Sequence, residues 1–436
     1  MTNHMTNSEA STSRECAERL GRQLNAVVAV FERPRGETSG PLQGLPVAVK
    51  DIIDIAGHPR GNGNPYDMAS AVAQTDAPVV AALRAAGADV FAATSLLEYA
   101  AGATHPLVPE ARNPYDLSRT AGGSSGGSAA LVGVGACSVA LGTDTGGSIR
   151  IPAHYCATVG FKPSYGALPL DGVEPLSPTL DHVGLLADTV ATASLVFLAI
   201  TGKMADDADN AMTGVGDVSR AGPLRVGVII DQLTATELEP DVASAVQRAV
   251  ETLRYAGCSI VEVDGSVLTQ MNLLFGDILL FEAWRAHRDR VTADPGHYGP
   301  ETLRLLLAAA EVTCDAYEKA LAGRQKLLPA AARVYDGIDV LLTPAAPFVA
   351  PATTPPVDTP EGDAEGMFTA IFNLTGDPAI VLPCGFSREG LPIGVQLSLS
   401  NGRDTALLGA AAYVEATLAM PPRTPALCGA SKPLHL

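Results

Sequence analysis

Residues 142–150 read Gly142-Thr143-Asp144-Thr145-Gly146-Gly147-Ser148-Ile149-Arg150 and follow directly on an apolar, strand-like segment, Val139 to Leu141. The two glycines before Ser148 have no Cβ, so backbone N–H groups there can approach a bound oxygen closely. Such N–H groups stabilise the oxyanion that forms when a serine attacks a carbonyl. The alternative is a turn serine that only caps the next helix. The doubled glycine favours a nucleophile at Ser148, with an oxyanion hole made by the N–H groups of Thr145, Gly146, Gly147 and Ser148.

A second serine cluster lies just upstream, in Gly122-Gly123-Ser124-Ser125-Gly126-Gly127-Ser128. Its first five residues formally match the G-x-S-x-G nucleophile elbow, with Ser124 at the serine position. A glycine-rich phosphate cradle at the start of a helix is a second interpretation. The Gly-Lys-Ser/Thr ending of a Walker A loop is missing, however, and so is the Rossmann fingerprint. On its own, the cluster leaves an elbow, a phosphate loop and a plain flexible loop open.

A lone lysine ends the apolar run Leu45-Pro46-Val47-Ala48-Val49-Lys50. Burial disfavours the charged form of a lysine and lowers its pKa. Lowering the pKa of Lys50 from ~10.4 to near 7 costs about 4–5 kcal/mol, which the fold must supply. A neutral lysine can then serve as general base to a serine. Together with the two serine-containing segments, this lysine suggests a serine hydrolase that does not rely on histidine.

Histidine offers a competing catalytic triad. His182 follows Asp181, so chain order alone permits an elbow at Ser124 that is served by this acid and this base. An α/β-hydrolase places its histidine after a late acidic loop, and this chain lacks that arrangement. A structural role is the favoured interpretation of His182.

Composition and charge exclude several classes of function. With 47% hydrophobic and 17% charged residues among 436, the chain can bury a large core and is not expected to be disordered. A net charge of −18 argues against nucleic acid and against an anionic membrane as partners. The seven scattered cysteines form no C-x-x-C pair, which favours a reducing compartment and argues against a zinc site.

Targeting signals are not evident. The first residues are polar, and no apolar run reaches the ~18 residues of a membrane span. We therefore expect a cytoplasmic protein that needs no metal or cofactor.

Strand and helix patterns alternate from Leu45 onward, which predicts an α/β fold. Short apolar strands separated by helices of ~10 residues imply a mixed sheet that is covered by helices on both faces. There is no internal repeat and no break in composition, so a single large domain is expected over residues 1–436. The predicted parts are core motifs in 40–200, a more variable and mainly helical part in 201–335, and C-terminal core strands in 336–420.

The predicted elements follow from these patterns. An entry loop is expected at 33–44, and proline-rich loops at 344–360 and 420–434. Strands are predicted at 47–55, 89–93, 138–141, 224–230, 260–263, 340–342, 379–382 and 393–397. Helices are predicted at 15–34, 77–86 and 126–134, from Asp241 to Gly257, and over most of 266–335.

Taken together, these motifs resemble the amidase signature family. The likeness covers about residues 40–200, where the Lys50 strand, the serine cluster and the 142–150 stretch stand in the family's order and spacing. Each motif alone is unspecific, but the set is highly specific. Four further motifs extend it: Gly160-Phe161-Lys162-Pro163, Leu180-Asp181-His182-Val183-Gly184, Asn373-Leu374-Thr375-Gly376 and Gly390-Leu391-Pro392-Ile393-Gly394-Val395-Gln396.

The resemblance implies a single α/β domain on a large mixed, twisted sheet, with a Ser-cisSer-Lys catalytic set. In this chain, the set maps to Ser148 as nucleophile, Ser124 as the bridging serine on a cis peptide bond, and Lys50 as base. Hydrogen bonds from three further residues are implied to support the loops, namely Ser125, Asp144 and Arg150.

Two positions depart from the family pattern. Ala121 stands where the family usually has proline, which is expected to loosen that loop without touching the chemistry. Residues 95–99, Ser-Leu-Leu-Glu-Tyr, resemble the family's pocket-lining stretch but are more apolar than usual. Leu97 and Tyr99 are therefore expected to bind substrate, with a preference for a hydrophobic acyl or aryl group.

Three functions are considered for these motifs. The first is a free-standing hydrolase that cleaves the carbonyl C–N bond of a small amide, anilide or carbamate (urethane) through an acyl-enzyme on Ser148. The second is the glutaminase (A-type) subunit of a tRNA-dependent amidotransferase, which works only with a partner subunit. A glycine-loop nucleotide-binding module is a third, and it predicts indifference to the loss of Ser148. The expected partner is a small-molecule substrate, not nucleic acid or membrane, and a homodimer is left open.

Overall fold

The structure is a computed structural model that describes residues 7–32, 39–204, 223–356, 359–420 and 425–426. Parts of the three loops predicted at 33–44, 344–360 and 420–434 lie outside the described residues.

Within the described residues, eleven strands form one mixed sheet. They are β1 (Val27–Val30), β2 (Pro46–Lys50), β3 (Asp89–Thr94), β4 (Val139–Asp144), β5 (Val159–Lys162), β6 (His182–Ala187), β7 (Arg225–Val228), β8 (Ser259–Glu262), β9 (Val340–Pro344), β10 (Ala379–Phe386) and β11 (Pro392–Ser398). Their order across the sheet is β1-β3-β2-β4-β6-β5-β10-β11-β9-β7-β8. Strand β2 runs parallel to β3 and β4, whereas β6, β5, β10 and β11 form an antiparallel middle section.

The two faces of the sheet are both buried. Successive side chains of a strand point to opposite faces, and in β2 Val47 and Val49 join one hydrophobic cluster while Ala48 joins another. Strand β4 repeats this division, since Val139 and Leu141 lie on the first face. Burial on both faces explains why these strands are continuous apolar runs and do not alternate with polar residues.

Helices supply the cover on each face. They are α1 (Asn7–Cys16), α2 (Pro78–Ala85), α3 (Gly126–Gly133), α4 (Arg150–Cys156), α5 (Val190–Ile200), α6 (Ile230–Leu233), α7 (Pro240–Tyr255), α8 (Ser266–Asn272), α9 (Phe275–Ala293), α10 (Pro300–Ala309), α11 (Cys314–Ala332), α12 (Pro360–Glu365), α13 (Ile371–Leu374) and α14 (Asp404–Leu418). Helices α2, α5, α7 and α14 pack on the face that contains Val47, and α3 and α4 pack on the opposite face. None of the helices described is both long enough and apolar enough to cross a bilayer.

The predicted α/β architecture is confirmed, as a single large domain with a mixed sheet. The helix predicted from Asp241 is α7, and its six predicted apolar positions are all buried: Val242, Ala245, Val246, Ala249, Val250 and Leu253. An apolar stripe at this spacing faces the core because a helix turns once in 3.6 residues. The helical part predicted over 266–335 is also present, as α8 to α11.

The leading helix predicted at 15–34 is wrong in its extent. Helix α1 begins earlier within the described residues, continues as a π-helical turn over Ala17–Gly21, and gives way to a turn at Asn25, where φ is +53°. The chain then enters β1, which pairs with β3. A four-residue apolar run such as Val27–Val30 does not distinguish helix from strand by its periodicity.

The strand predicted at 47–55 also ends too late. Strand β2 stops at Lys50, because the N–H groups of Ile52 and Ile53 both turn back to the carbonyl of Lys50 at 2.8 and 3.1 Å. The lysine therefore stands at the last position of the strand. Strands β5 and β6 were not predicted as strands, although motifs of the family likeness run through both.

Candidate active site

The three predicted catalytic residues come from three neighbouring segments. Lys50 ends β2, Ser124 stands just before α3, and Ser148 lies between β4 and α4. Strands β2 and β4 are parallel neighbours, so their carboxyl ends reach the same edge of the sheet. The peptide bond between Gly123 and Ser124 is cis, as the family likeness implied.

Lys50 is fully buried and contacts two hydroxyls. Its Nζ donates hydrogen bonds to Ser124 Oγ and to Thr143 Oγ1, each at 2.7 Å. Burial lowers the pKa of Lys50 to about 7, although the nearby Asp144 and Asp181 carboxylates act in the opposite direction. A large share of the amine is therefore neutral near pH 7. In that form the same contact allows the Ser124 O–H to donate to the lone pair of Nζ.

Ser148 and Ser124 both line one cavity. Ser148 is partly exposed to it, as a nucleophile must be. Among the hydrogen bonds of the described residues, none joins the two serine hydroxyls. Catalytic hydrogen bonds are often long without substrate and shorten in the substrate complex, so we expect the Ser124–Ser148 contact to close on binding.

The predicted oxyanion hole needs one correction. The Gly147 N–H donates to Asp144 Oδ1 at 2.9 Å, so it is not free to bind a substrate oxygen. The N–H groups of Thr145, Gly146 and Ser148 find no acceptor among the described residues and remain as donors at the cavity.

Gly147 has a structural task. Its φ is +141°, and a Cβ there would collide with the Thr369 hydroxyl. Only glycine suits this combination of backbone angle and close contact. We conclude that Gly147 shapes the loop, whereas the N–H groups of its neighbours are left without an acceptor among the described residues.

A buried ion pair between Asp144 and Arg150 stabilises the loop that bears Ser148. Arg150 and Asp144 are both inaccessible to solvent and are joined at 2.8 Å and 3.0 Å. Burial alone would raise the pKa of Asp144, but the Arg150 guanidinium outweighs it and keeps the pKa well below its usual range. The remaining donors of the guanidinium reach the Thr369 carbonyl, Gln396 and Asn373 at 2.7–2.8 Å, so the buried charge is fully hydrogen-bonded.

Ser125 joins the serine cluster to the same loop. Its Oγ donates to the Thr143 carbonyl at 3.1 Å, and its N–H donates to the Ser148 carbonyl at 3.1 Å. The residue is fully buried. The structure thus places Ser125 between the two segments that bear Ser124 and Ser148, and its contacts fit the supporting position that the family likeness implied.

Several residues of the site were not assigned a role from the sequence. Thr143 binds the lysine amine, Thr369 Oγ1 donates to the Gly146 carbonyl at 2.6 Å, and Asp181 accepts a hydrogen bond from Thr145 Oγ1 at 2.7 Å. Asn373 and Gln396 lie within quoted family motifs, which was the available signal for them. Both bind Arg150, which lies more than 200 residues away in the sequence, and no local pattern predicts such a contact.

The structure separates the two predicted substrate-binding residues. Leu97 lines the cavity and lies so close to Gly123 that a Cβ at that glycine would collide with it. Tyr99 is completely buried, and its hydroxyl donates to Asp67 at 2.7 Å and contacts His297 at 2.9 Å. Tyr99 therefore does not reach the cavity, because its backbone turns away with a φ of +50°.

The competing histidine triad is not assembled. His182 is buried, its Nδ1 lies 2.6 Å from the Leu180 carbonyl, and its ring packs edge-on against Tyr165. Burial, together with Lys162, lowers its pKa well below the usual value. The ring is not part of the cavity wall that contains Ser124.

The pH dependence of activity should report the titration of Lys50. Only the neutral amine can accept a proton, and its pKa is lowered to about 7. For an uncharged substrate, kcat/KM should rise about tenfold per pH unit below pH 7 and level off above it. Steady-state assays between about pH 5.5 and about pH 9 test this. A rise that begins only near the usual lysine pKa would contradict the assignment.

Comparison with known proteins agrees with this geometry. The family model described as Amidase matches residues 2–408. A protein named Amidase from Pseudomonas putida is 37% identical, over 91% of this chain and 89% of the relative. The A-type subunit of the glutamyl-tRNA(Gln) amidotransferase from Koribacter versatilis is 31% identical, over 95% of this chain and 91% of that protein. A solved structure described as an amidase superposes with a TM-score of 0.80 at 32% identity, and covers 94% of this chain and 95% of its own.

Proposed function

This chain belongs to the amidase signature family, and we propose that it is a free-standing serine hydrolase that cleaves the carbonyl C–N bond of a small amide, anilide or carbamate. The observation that carries the proposal is the 2.7 Å contact between the buried amine of Lys50 and Ser124 Oγ. That contact lies at a cavity that also contains Ser148 and unpaired backbone N–H groups.

The mechanism follows from the protonation states of these groups. Neutral Lys50 accepts the proton of Ser124 as Ser124 accepts that of Ser148, and Ser148 Oγ attacks the carbonyl carbon. The N–H groups of Thr145, Gly146 and Ser148 stabilise the oxyanion that forms. The proton then returns through Ser124 to the leaving nitrogen, and the C–N bond breaks. Water then attacks the acyl-enzyme and gives its proton to Lys50 through Ser124. The proton returns through Ser124 to Ser148 Oγ as the ester bond breaks and the acid is released.

The wall of the cavity supports a substrate with an apolar acyl or aryl group. Most of the side chains that line it are aliphatic or aromatic: Leu97, Ile151, Leu176, Phe275, Leu279, Leu280 and Leu305. Such a wall gains free energy from covering hydrocarbon, about 25 cal/mol per Å² removed from water. A hydrophobic acyl or aryl group therefore suits this wall.

The alternative function, a glutaminase component of an amidotransferase, is favoured by the relatives that bear that name. Glutamine carries an α-carboxylate, which needs a cation or several donors when it is buried. The residues that line the described cavity include no arginine, lysine or histidine. This observation supports the free-standing hydrolase over the glutaminase.

Hydrolysis by the purified chain alone tests the proposal. We expect turnover of a neutral alkyl amide, acetanilide or ethyl carbamate without any added partner protein. Glutamine should react at least about 100-fold more slowly, since its carboxylate would be left without a partner. Activity confined to glutamine and dependent on a second protein would support the alternative.

A further inference from the structure

Glu365 stands out among the residues that line the cavity. It is the last residue of α12, and among the described lining residues it is the only one with an ionisable side chain. The segment that follows it packs on the nucleophile loop, because Thr369 Oγ1 donates both to the Gly146 carbonyl and to the Gly366 carbonyl. A carboxyl group is thus held beside the reacting centre, although the mechanism above does not use it.

One oxygen of Glu365 is fixed and the other is free. Tyr155 Oη, from α4, donates to Oε1 at 2.8 Å. The second oxygen, Oε2, has no hydrogen bond among the described residues, and it is not one of their fully enclosed unpartnered atoms. Glu365 lines the cavity and is only 7% exposed, so Oε2 is the polar atom of this side chain that is available to a ligand there.

The surroundings of Glu365 are negative. Burial and the nearby Glu110 raise the pKa of Glu365 to about 7, and Glu239 lies near its partner Tyr155. Glu110 is held close to the cavity wall, because Thr354 donates to it from its N–H and its hydroxyl at 3.0 and 2.6 Å. With no cationic side chain among the described lining residues, this part of the cavity attracts a cation and repels a carboxylate.

We propose that Glu365 is a substrate-recognition residue, and that the cavity takes amides whose apolar acyl group carries a primary amine, bound as an ammonium ion at Glu365 Oε2. The inference rests on the proposed function, and it adds the chemical class of the substrate. Tyr155 orients the carboxyl group, and the aliphatic wall covers the hydrocarbon part of the acyl group. A charge-assisted hydrogen bond of this kind, in a site that excludes water, is stronger than one between neutral groups.

Matched amides that differ only in the amine test the proposal. One pair, 2-aminopropanamide and 2-methylpropanamide, has the amine beside the carbonyl, and the other, 6-aminohexanamide and heptanamide, has it at the far end. At neutral pH, the wild-type protein should favour the amine in at least one pair by roughly 10- to 100-fold in kcat/KM. The Glu365→Gln variant should lose this preference, so that the ratio of kcat/KM between the two members of that pair falls to about 1.

The control is Glu361→Gln, on an exposed residue of the same helix, and it should keep the preference. A measurement on the wild-type protein does not depend on whether the variant folds: hexylammonium should inhibit more tightly than 1-hexanol. Hydrolysis of the uncharged amides with equal or lower activity on the amines would overturn this inference alone. Failure to hydrolyse any of the four amides would overturn this inference, and failure on acetanilide and ethyl carbamate as well would overturn the proposed function with it.

Discussion

Replacing Ser148 by alanine should abolish hydrolysis, with a fall in kcat/KM of at least about 10⁴-fold. The variant lacks the oxygen that forms the acyl-enzyme, and neither Ser124 nor Lys50 can supply it from the same position beside the backbone N–H donors. The side chain of Ser148 makes no hydrogen bond within the described residues, so the fold should be unaffected. Steady-state kinetics, with thermal unfolding as the check on folding, give the result.

The acyl-enzyme itself can be detected. Mass spectrometry after rapid acid quenching of wild-type protein with a slow anilide should show the acyl group on the peptide that contains Ser148. The same treatment of the Ser148→Ala variant should show none. Residual acylation at Ser124 in that variant, with activity to match, would contradict the assignment of the nucleophile. A fully active variant without acylation at Ser124 would show that the hydrolysis uses a different nucleophile.

The Lys50→Met variant should lose about 10²- to 10⁴-fold in kcat/KM, which is the range of general-base catalysis. Methionine fills much of the same buried volume but cannot accept a proton, so the variant should also lose the rise in activity near pH 7. Activity in wild-type protein rises there because the pKa of Lys50 is lowered to about 7. The pH profiles of the two proteins, measured on one uncharged amide, provide the comparison.

Lys162→Met is the matched control for the Lys50 variant. Lys162 is also fully buried with a pKa lowered to about 7, mainly by burial, but its Nζ donates to the carbonyls of Pro163 and Asp377 and lies away from the cavity. The control should keep the rise in kcat/KM near pH 7, even if it unfolds more easily. If the pH profile changed in the Lys162 variant and not in the Lys50 variant, the titration would belong to Lys162, and the assignment of Lys50 as the base would be wrong.

Stability provides a second measurement on Lys50. Its pKa is lower in the folded protein than in the unfolded chain, so the unfolded chain binds more protons between about pH 7 and about pH 10. This group therefore destabilises the folded protein most at and below pH 7, and the effect fades as the pH rises through that window. We therefore expect the free energy of unfolding of Lys50→Met minus that of wild type to be largest at and below about pH 7 and to become smaller toward about pH 10. Urea titrations of both proteins at several pH values measure this difference.

The predictions made from the sequence were most successful where a local pattern has only one good structural outcome. An apolar run that ends in a lysine predicted that Lys50 is buried, and the structure buries it completely, although the strand ends at Lys50 and not at residue 55 as predicted. A serine behind two glycines predicted an open loop at Ser148. The prediction of Val27–Val30 as helix failed because four apolar residues carry no usable periodicity.

Local patterns did not indicate which atoms of the site would already be occupied. The sequence offered four N–H groups for the oxyanion hole, but only the folded loop shows that Gly147 donates to Asp144. The same holds for Tyr99, which was expected to line the pocket because residues 95–99 resemble the family's pocket-lining stretch. Its hydroxyl instead binds His297, 198 residues further along the chain.

By itself, the sequence determined the α/β class from the alternation of strand and helix patterns. It also determined the family, and with it the three residues proposed for the chemistry, from a set of motifs in one order along the chain. The tertiary structure alone decided which donors remain free and where Glu365 faces, since that carboxyl group meets Tyr155 across 210 residues of sequence. Contacts of that kind depend on how the sheet brings distant segments to one edge. The physical reason is that the packing of the surrounding chain sets how deeply Lys50 and Glu365 are buried. Burial in turn sets their pKa values and therefore their charge.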